Sequence, residues 1–181
     1  MENKPFKGVC QCMKLKIVWP SLVVILFSAM EAPADTAKLG PEMILNGGME
    51  AGNPPEKWKT VNDVTLSADV NPGSGEHCLK IIQSGKKAGL ARQDVSTVPG
   101  KKYELTLKYK CQPDSTARIE GWDHKNGRNL FAEHKTEGVW TVYKYVVTIP
   151  SGCESVGILL YAFGSGSVVW YDDVSFKAIE E

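Results

Sequence analysis

The feature that most constrains this chain is its punctuation. From residue 43 onward, short runs rich in Val, Ile, Leu, Thr and Tyr recur, separated by Gly, Pro, Asn and Ser. No stretch keeps a helical apolar period for three turns. The runs predict strands over about 43–50, 64–70, 78–83, 89–95, 102–111, 117–123, 129–135, 140–149, 155–163 and 167–176. The separators have mechanisms. Asn71-Pro72-Gly73 sets one φ and frees the next. Asn126-Gly127 is a hairpin signal between two of the runs. About ten strands at this spacing predict an all-β chain, a β-sandwich jelly roll of antiparallel strands. With 181 residues and 43% hydrophobic content, the chain has the material for one such domain.

The first forty residues follow another rule. Met13-Lys14-Leu15-Lys16 is a positive head, residues 17–27 are apolar except for Pro20 and Ser21, and Ala32-Pro33-Ala34 follows. That order is a secretory signal peptide, and Met13 opens a better one than Met1. The alternative, an uncleaved anchor, asks for about 20 apolar residues, more than the run supplies. We therefore expect a signal peptide over 1–34, a linker over 35–42 and the folded domain over 43–177. The mature chain is expected to be secreted, periplasmic or at the cell surface, with no membrane span left after cleavage. It keeps Cys78, Cys111 and Cys153. An oxidising compartment favours one disulfide, with Cys111 and Cys153 the preferred pair and three separate buried thiols the alternative. Equal numbers of basic and acidic side chains, 21 each, argue against a nucleic-acid partner.

Alternation sorts the side chains. Tyr103, Leu105, Leu107 and Tyr109 share one face and are assigned to the core. Over 117–124, Ala117, Ile119 and Gly121 face one way, and Arg118, Glu120, Trp122 and His124 the other. An indole among charged and polar neighbours is not how a core face is written. Sugar rings offer an apolar C–H face and a rim of hydroxyls, so Trp122 is the candidate stacking platform, with Arg118, Glu120 and His124 as rim groups. The alternative is that Trp122 packs under a loop. Trp140 is expected in the core, and Trp58 as a cap on the sandwich, with the lining of one end of a binding groove as its alternative.

A longer pattern is specific in its order. Leu45-Asn46-Gly47-Gly48-Met49-Glu50, Trp58, 75–79, Gln93-Asp94-Val95, 98–103, Trp140-Thr141-Val142-Tyr143 and Trp170-Tyr171-Asp172-Asp173-Val174 follow one another. This string resembles the jelly-roll carbohydrate-binding modules appended to bacterial xylanases and cellulases, the group of families 4, 9 and 22. The resemblance spans residues 43–176. It implies non-catalytic binding of a polysaccharide or oligosaccharide lying across a concave sheet, beside a separate glycoside hydrolase. It adds Arg92 and Gln93 at the border of the groove, with Tyr161 a further candidate. It also implies a structural Ca²⁺ held by Glu50 and Asp172, a hard cation that needs several oxygen ligands.

An enzyme reading finds little support. A glycosidase needs two carboxylates about 5–10 Å apart. Asp123, Glu120 and Glu133 qualify only as any acids would, and no nucleophile elbow, zinc motif or phosphate loop occurs. Three alternatives stay open: an envelope or adhesion protein that uses the fold to meet a protein, a module classed with the hydrolases it serves, and a relative that kept the fold and lost the groove.

Overall fold

The computed structural model describes residues 37–85 and 88–180. The expected signal peptide, 1–34, lies outside the described residues. Among the described residues eleven strands form: β1 (Lys38–Glu42), β2 (Lys59–Val61), β3 (Val64–Ser67), β4 (Cys78–Ile82), β5 (Leu90–Ser96), β6 (Lys102–Cys111), β7 (Thr116–Asp123), β8 (Arg128–Lys135), β9 (Thr141–Thr148), β10 (Ser155–Phe163) and β11 (Val168–Glu180). All pairings are antiparallel. One sheet has the order β3-β4-β11-β6-β9, with β1 added on β11; the other has the order β2-β5-β10-β7-β8. The chain is an all-β sandwich jelly roll.

Inward residues of both sheets make one core. Leu79, Ile81, Leu105, Leu107, Tyr109 and Phe176 meet Ala91, Val95, Ile119, Ile158 and Leu160. Tyr103 stacks on Phe176 at 5.1 Å between ring centroids. The Tyr171 hydroxyl crosses the sandwich and donates to the Tyr161 carbonyl, 2.6 Å away, tying the two sheets beneath the face described below. At the β7–β8 hairpin, Gly127 has φ 61 and its N–H donates to the Asp123 carbonyl at 2.9 Å, the geometry that Asn126-Gly127 asks for.

The start of the domain differs from expectation. Residues 43–50 are a looped segment, and the first strand lies earlier, within the expected linker. Asn46 and Met49 have positive φ, 51 and 55, and Asn46 Oδ1 accepts the N–H groups of Glu50 and Ala51. A polar side chain that bonds its own backbone thus competes with a ladder. Gly47 lets this segment touch a bulge in β11, where a Cβ would lie 2.0 Å from the Val174 carbonyl oxygen. β1 contains Gly40 and Pro41, tolerable at an edge, and pairs with the end of β11, which runs past 177 to Glu180. The three-residue β2 carried too little pattern to be read.

The preferred disulfide is also corrected. Cys78, Cys111 and Cys153 are free and buried. Cys111 ends β6 in one sheet, whereas Cys153 precedes β10 in the other, so the two strands are not neighbours. The three thiols point instead to the carbonyls of Ser67, Lys135 and Ser155, each at 3.4 Å. Trp58 is buried as a cap, its indole N–H on the Asn46 carbonyl at 3.2 Å. Trp140 is outside the core cluster; it is half-buried against the 69–72 loop, donating to the Asn71 carbonyl.

Candidate functional site

The outer face of the five-stranded sheet is written in rows by strand register. Asp94, Gly157 and Trp122 form the first, on β5, β10 and β7. Lys59, Arg92, Leu159, Glu120 and Ala132 form the second. Val61, Leu90, Tyr161, Arg118 and His134 form the third. Phe163 and Thr116 form the fourth. Ile158, Leu160 and Ile119 alternate with these positions and are fully buried inside.

Around the first row, Asp94 gathers basic side chains. Arg92 donates to it twice, from Nε at 2.7 Å and Nη2 at 2.9 Å. Lys59 Nζ reaches it at 3.0 Å and His124 Nε2 at 2.8 Å. The Arg92 hydrogen bonds, opposed by burial and helped by Lys59 and His124, hold its carboxyl well below the usual range. Gly157 is the floor between Asp94 and Trp122; a Cβ there would meet His124 Nε2 at 3.0 Å and Asp94 Oδ1 at 3.2 Å. Beside this end is a small cavity of about 190 Å³ lined by Leu45, Lys57, Lys59, Arg92, Gln93 and Asp94.

The centre is a second charged unit. Arg118 ion-pairs with Glu120, a residue only 4% exposed. Glu120 Oε1 is the oxygen that Arg118 Nη2 reaches, and Arg118 Nε is buried without a hydrogen-bond partner. Buried polar groups are nearly always satisfied, so the spare Nε donor of this pair stands out. Burial, and then the Glu120 carboxylate, pushes the Tyr161 hydroxyl up to about 12. The Arg118 guanidinium lies 5.9 Å from the Tyr161 ring and 5.3 Å from Phe163. His134 tilts against Phe163 at 4.7 Å.

The structure thus brings Trp122, Arg118, Glu120, His124, Arg92 and Tyr161 to one face. It does not bring Gln93 with them. Gln93 alternates inward, is buried, and clamps Leu45: its Oε1 accepts the Leu45 N–H at 2.7 Å and its Nε2 donates to the Leu45 carbonyl at 2.9 Å. Phe163, His134 and Asp94 were missed. Phe163 closes an otherwise apolar run, 158–163, that reads as buried on both faces.

Glu50 and Asp172 meet opposite ends of one loop. Glu50 Oε1 accepts the N–H groups of Glu76 at 2.9 Å and His77 at 3.2 Å. Asp172 has no exposed surface, and its Oδ2 accepts the Ser74 N–H at 2.8 Å. Burial pushes its carboxyl up to about 6, with the Asp173 charge adding to the rise. Among the described residues, no group of three or more His, Cys, Asp or Glu side chains converges as a metal cluster.

No protein-family profile and no curated protein matches the sequence. Solved structures do match. A family 61 carbohydrate-binding module in complex with β-1,4-galactotriose superposes with a TM-score of 0.60 at 16% identity, over 76% of this chain and 98% of that one. The xylan-binding CBM22-1 domain of Xyn10C from Paenibacillus barcinonensis gives 0.54 at 13% identity, over 82% and 99%. The enzymatically active domain of tailspike protein 4 from Bacteriophage CBA120 gives 0.59 at 17% identity, but the chain spans 21% of its length. In fold, this chain is a jelly roll of the kind shared by the carbohydrate-binding modules of families 4, 16, 22 and 61.

Proposed function

We propose that the protein binds polysaccharide or oligosaccharide chains, without turning them over, on the outer face of the five-stranded sheet. One observation carries this: a single face presents Trp122, Tyr161 and Phe163 with charged groups in register between them. Aromatic rings suit the C–H faces of sugars, and ion-paired side chains suit hydroxyls, which both donate and accept. The solved jelly rolls include a galactotriose complex and a xylan-binding domain, in keeping with this reading. The carboxylates of the face are each engaged by cations, Asp94 by Arg92 and Lys59 and Glu120 by Arg118, an arrangement that suits holding rather than proton transfer. The apolar run at 17–27 supports a secreted or surface location, where a separate glycoside hydrolase would be the companion.

Retention on xylan, galactan and glucan columns tests the reading. Trp122→Ala is expected to lose retention while unfolding close to the parent temperature. Affinity at one such open site should be on the order of micromolar to millimolar. A protein that no glycan retains would move a protein partner to first place, with exposed Val139, Val142 and Val146 as the surface to examine.

We also propose that Glu50 and Asp172 hold calcium. The buried Asp172 carboxyl, short of positive charge, supports this. Calcium would supply that charge and pin the 73–77 loop. The thermal midpoint should rise with calcium over EDTA, and should not rise in Asp172→Asn; equal responses would reject the site.

A further inference from the structure

The rings on this face are all on one set of strands. Trp122 is on β7, Tyr161 and Phe163 are on β10, and His134 is on β8. β2 and β5 bring no aromatic side chain to the face; they bring Lys59, Val61, Leu90, Arg92 and Asp94. The rings are therefore spread along the strand direction. Trp122 is in the first row, and Phe163, opposite Thr116, is in the fourth. Six residues of β7 separate those rows, which at the rise of a strand is ~20 Å.

Phe163 is built as a platform. It is 44% exposed. It is held from two sides, by the Arg118 guanidinium at 5.3 Å and the His134 ring at 4.7 Å. Between Phe163 and Trp122 lie Tyr161 and the Arg118–Glu120 pair, whose Arg118 Nε is without a partner.

We propose that the glycan runs along β7 and β10 rather than across the five strands, with one sugar on Trp122 and another on Phe163. The inference rests on the glycan-binding reading and adds a direction, a second platform and a minimum length. Hydroxyls between the platforms meet Arg118 and Tyr161. A disaccharide cannot touch both rings over ~20 Å; an extended chain of several sugars can.

Calorimetric titration of the purified protein with the di- to hexasaccharides of xylan and of β-1,4-galactan tests this, alongside the two polymers. Affinity should climb with chain length beyond the trisaccharide. Phe163→Ala should weaken the hexasaccharide about three- to ten-fold, the weight of one aromatic contact, and the disaccharide by less. Trp122→Ala should weaken both. Phe163→Leu, which keeps the apolar bulk, should behave as Phe163→Ala; it serves if the alanine variant folds poorly by circular dichroism. Equal affinity for di- and hexasaccharide, or a hexasaccharide indifferent to Phe163, overturns the inference and leaves the glycan reading standing. Failure to bind either polymer or any oligosaccharide removes both.

Discussion

Asp172 shows how much one buried carboxyl can matter. It has no exposed surface, Asp173 lies beside it, and only backbone N–H groups and the more distant Lys108 offset its charge. Its folded pKa of about 6 lies above the ordinary carboxylate value, so between those values the folded state binds more protons than the unfolded one. Stability then falls as pH rises from about 4 to about 6, and the charged form costs about 3 kcal/mol above that window. In EDTA, urea unfolding across this range should show that slope, and Asp172→Asn should flatten it. A wild-type protein without the slope would mean that the carboxyl is better solvated than its burial implies. Trp122 works differently. It is half-buried, makes no structural tie of its own comparable with Trp58, and so can be removed at little cost to the fold.

β7 is the element on which core and site meet. Its inward side carries Ala117, Ile119 and Gly121, and its outward side Arg118, Glu120 and Trp122. Gly121 is inward for a steric reason: a Cβ there would lie 2.2 Å from Phe131 Cε1, and Phe131 in turn packs on Tyr145 at 4.5 Å. The β7–β8 register shifts between Gly121 and Trp122, so this ring also borders the bulge that sets the Trp122 backbone. Gly121→Ala should cost about 1–3 kcal/mol through overpacking and lower the thermal midpoint by several degrees. It should weaken glycan binding less than Trp122→Ala. A neutral effect on stability would mean that Phe131 moves freely at the sheet edge.

For the molecule as a whole, the two-sheet partition decides the cysteine chemistry. Burial, then the nearby Asp172 and Asp69 charges, pushes the Cys78 thiol up to about 12, and burial raises Cys111 and Cys153 too. Folded protein at pH 8 should leave these three unalkylated, and guanidinium should expose all of them. Dithiothreitol should not change the unfolding midpoint. A mapped Cys111–Cys153 bond would contradict the placement of β6 and β10 in separate sheets.

Alternation and turn chemistry are local, and that is why most of this chain could be read without coordinates. A period of two assigns faces strand by strand, so 103–109 and 117–123 were legible, as were the hairpin at Asn126-Gly127 and the row that carries Trp122. The resemblance added Arg92 to that face, but it also added Gln93, whose alternation already opposed Arg92. What needed the tertiary structure was long-range. Residues 43–50 form a loop because Gly47 must reach the Val174 carbonyl in the last strand. Lys38–Glu42 becomes a strand only because the end of β11 offers a free edge. Phe163 becomes a platform only when Arg118 and His134 arrive from β7 and β8. Periodicity fixes which side of its own strand a residue occupies; which strands become neighbours, and which side meets water, is decided by the packing of two sheets whose partners are far apart in the chain.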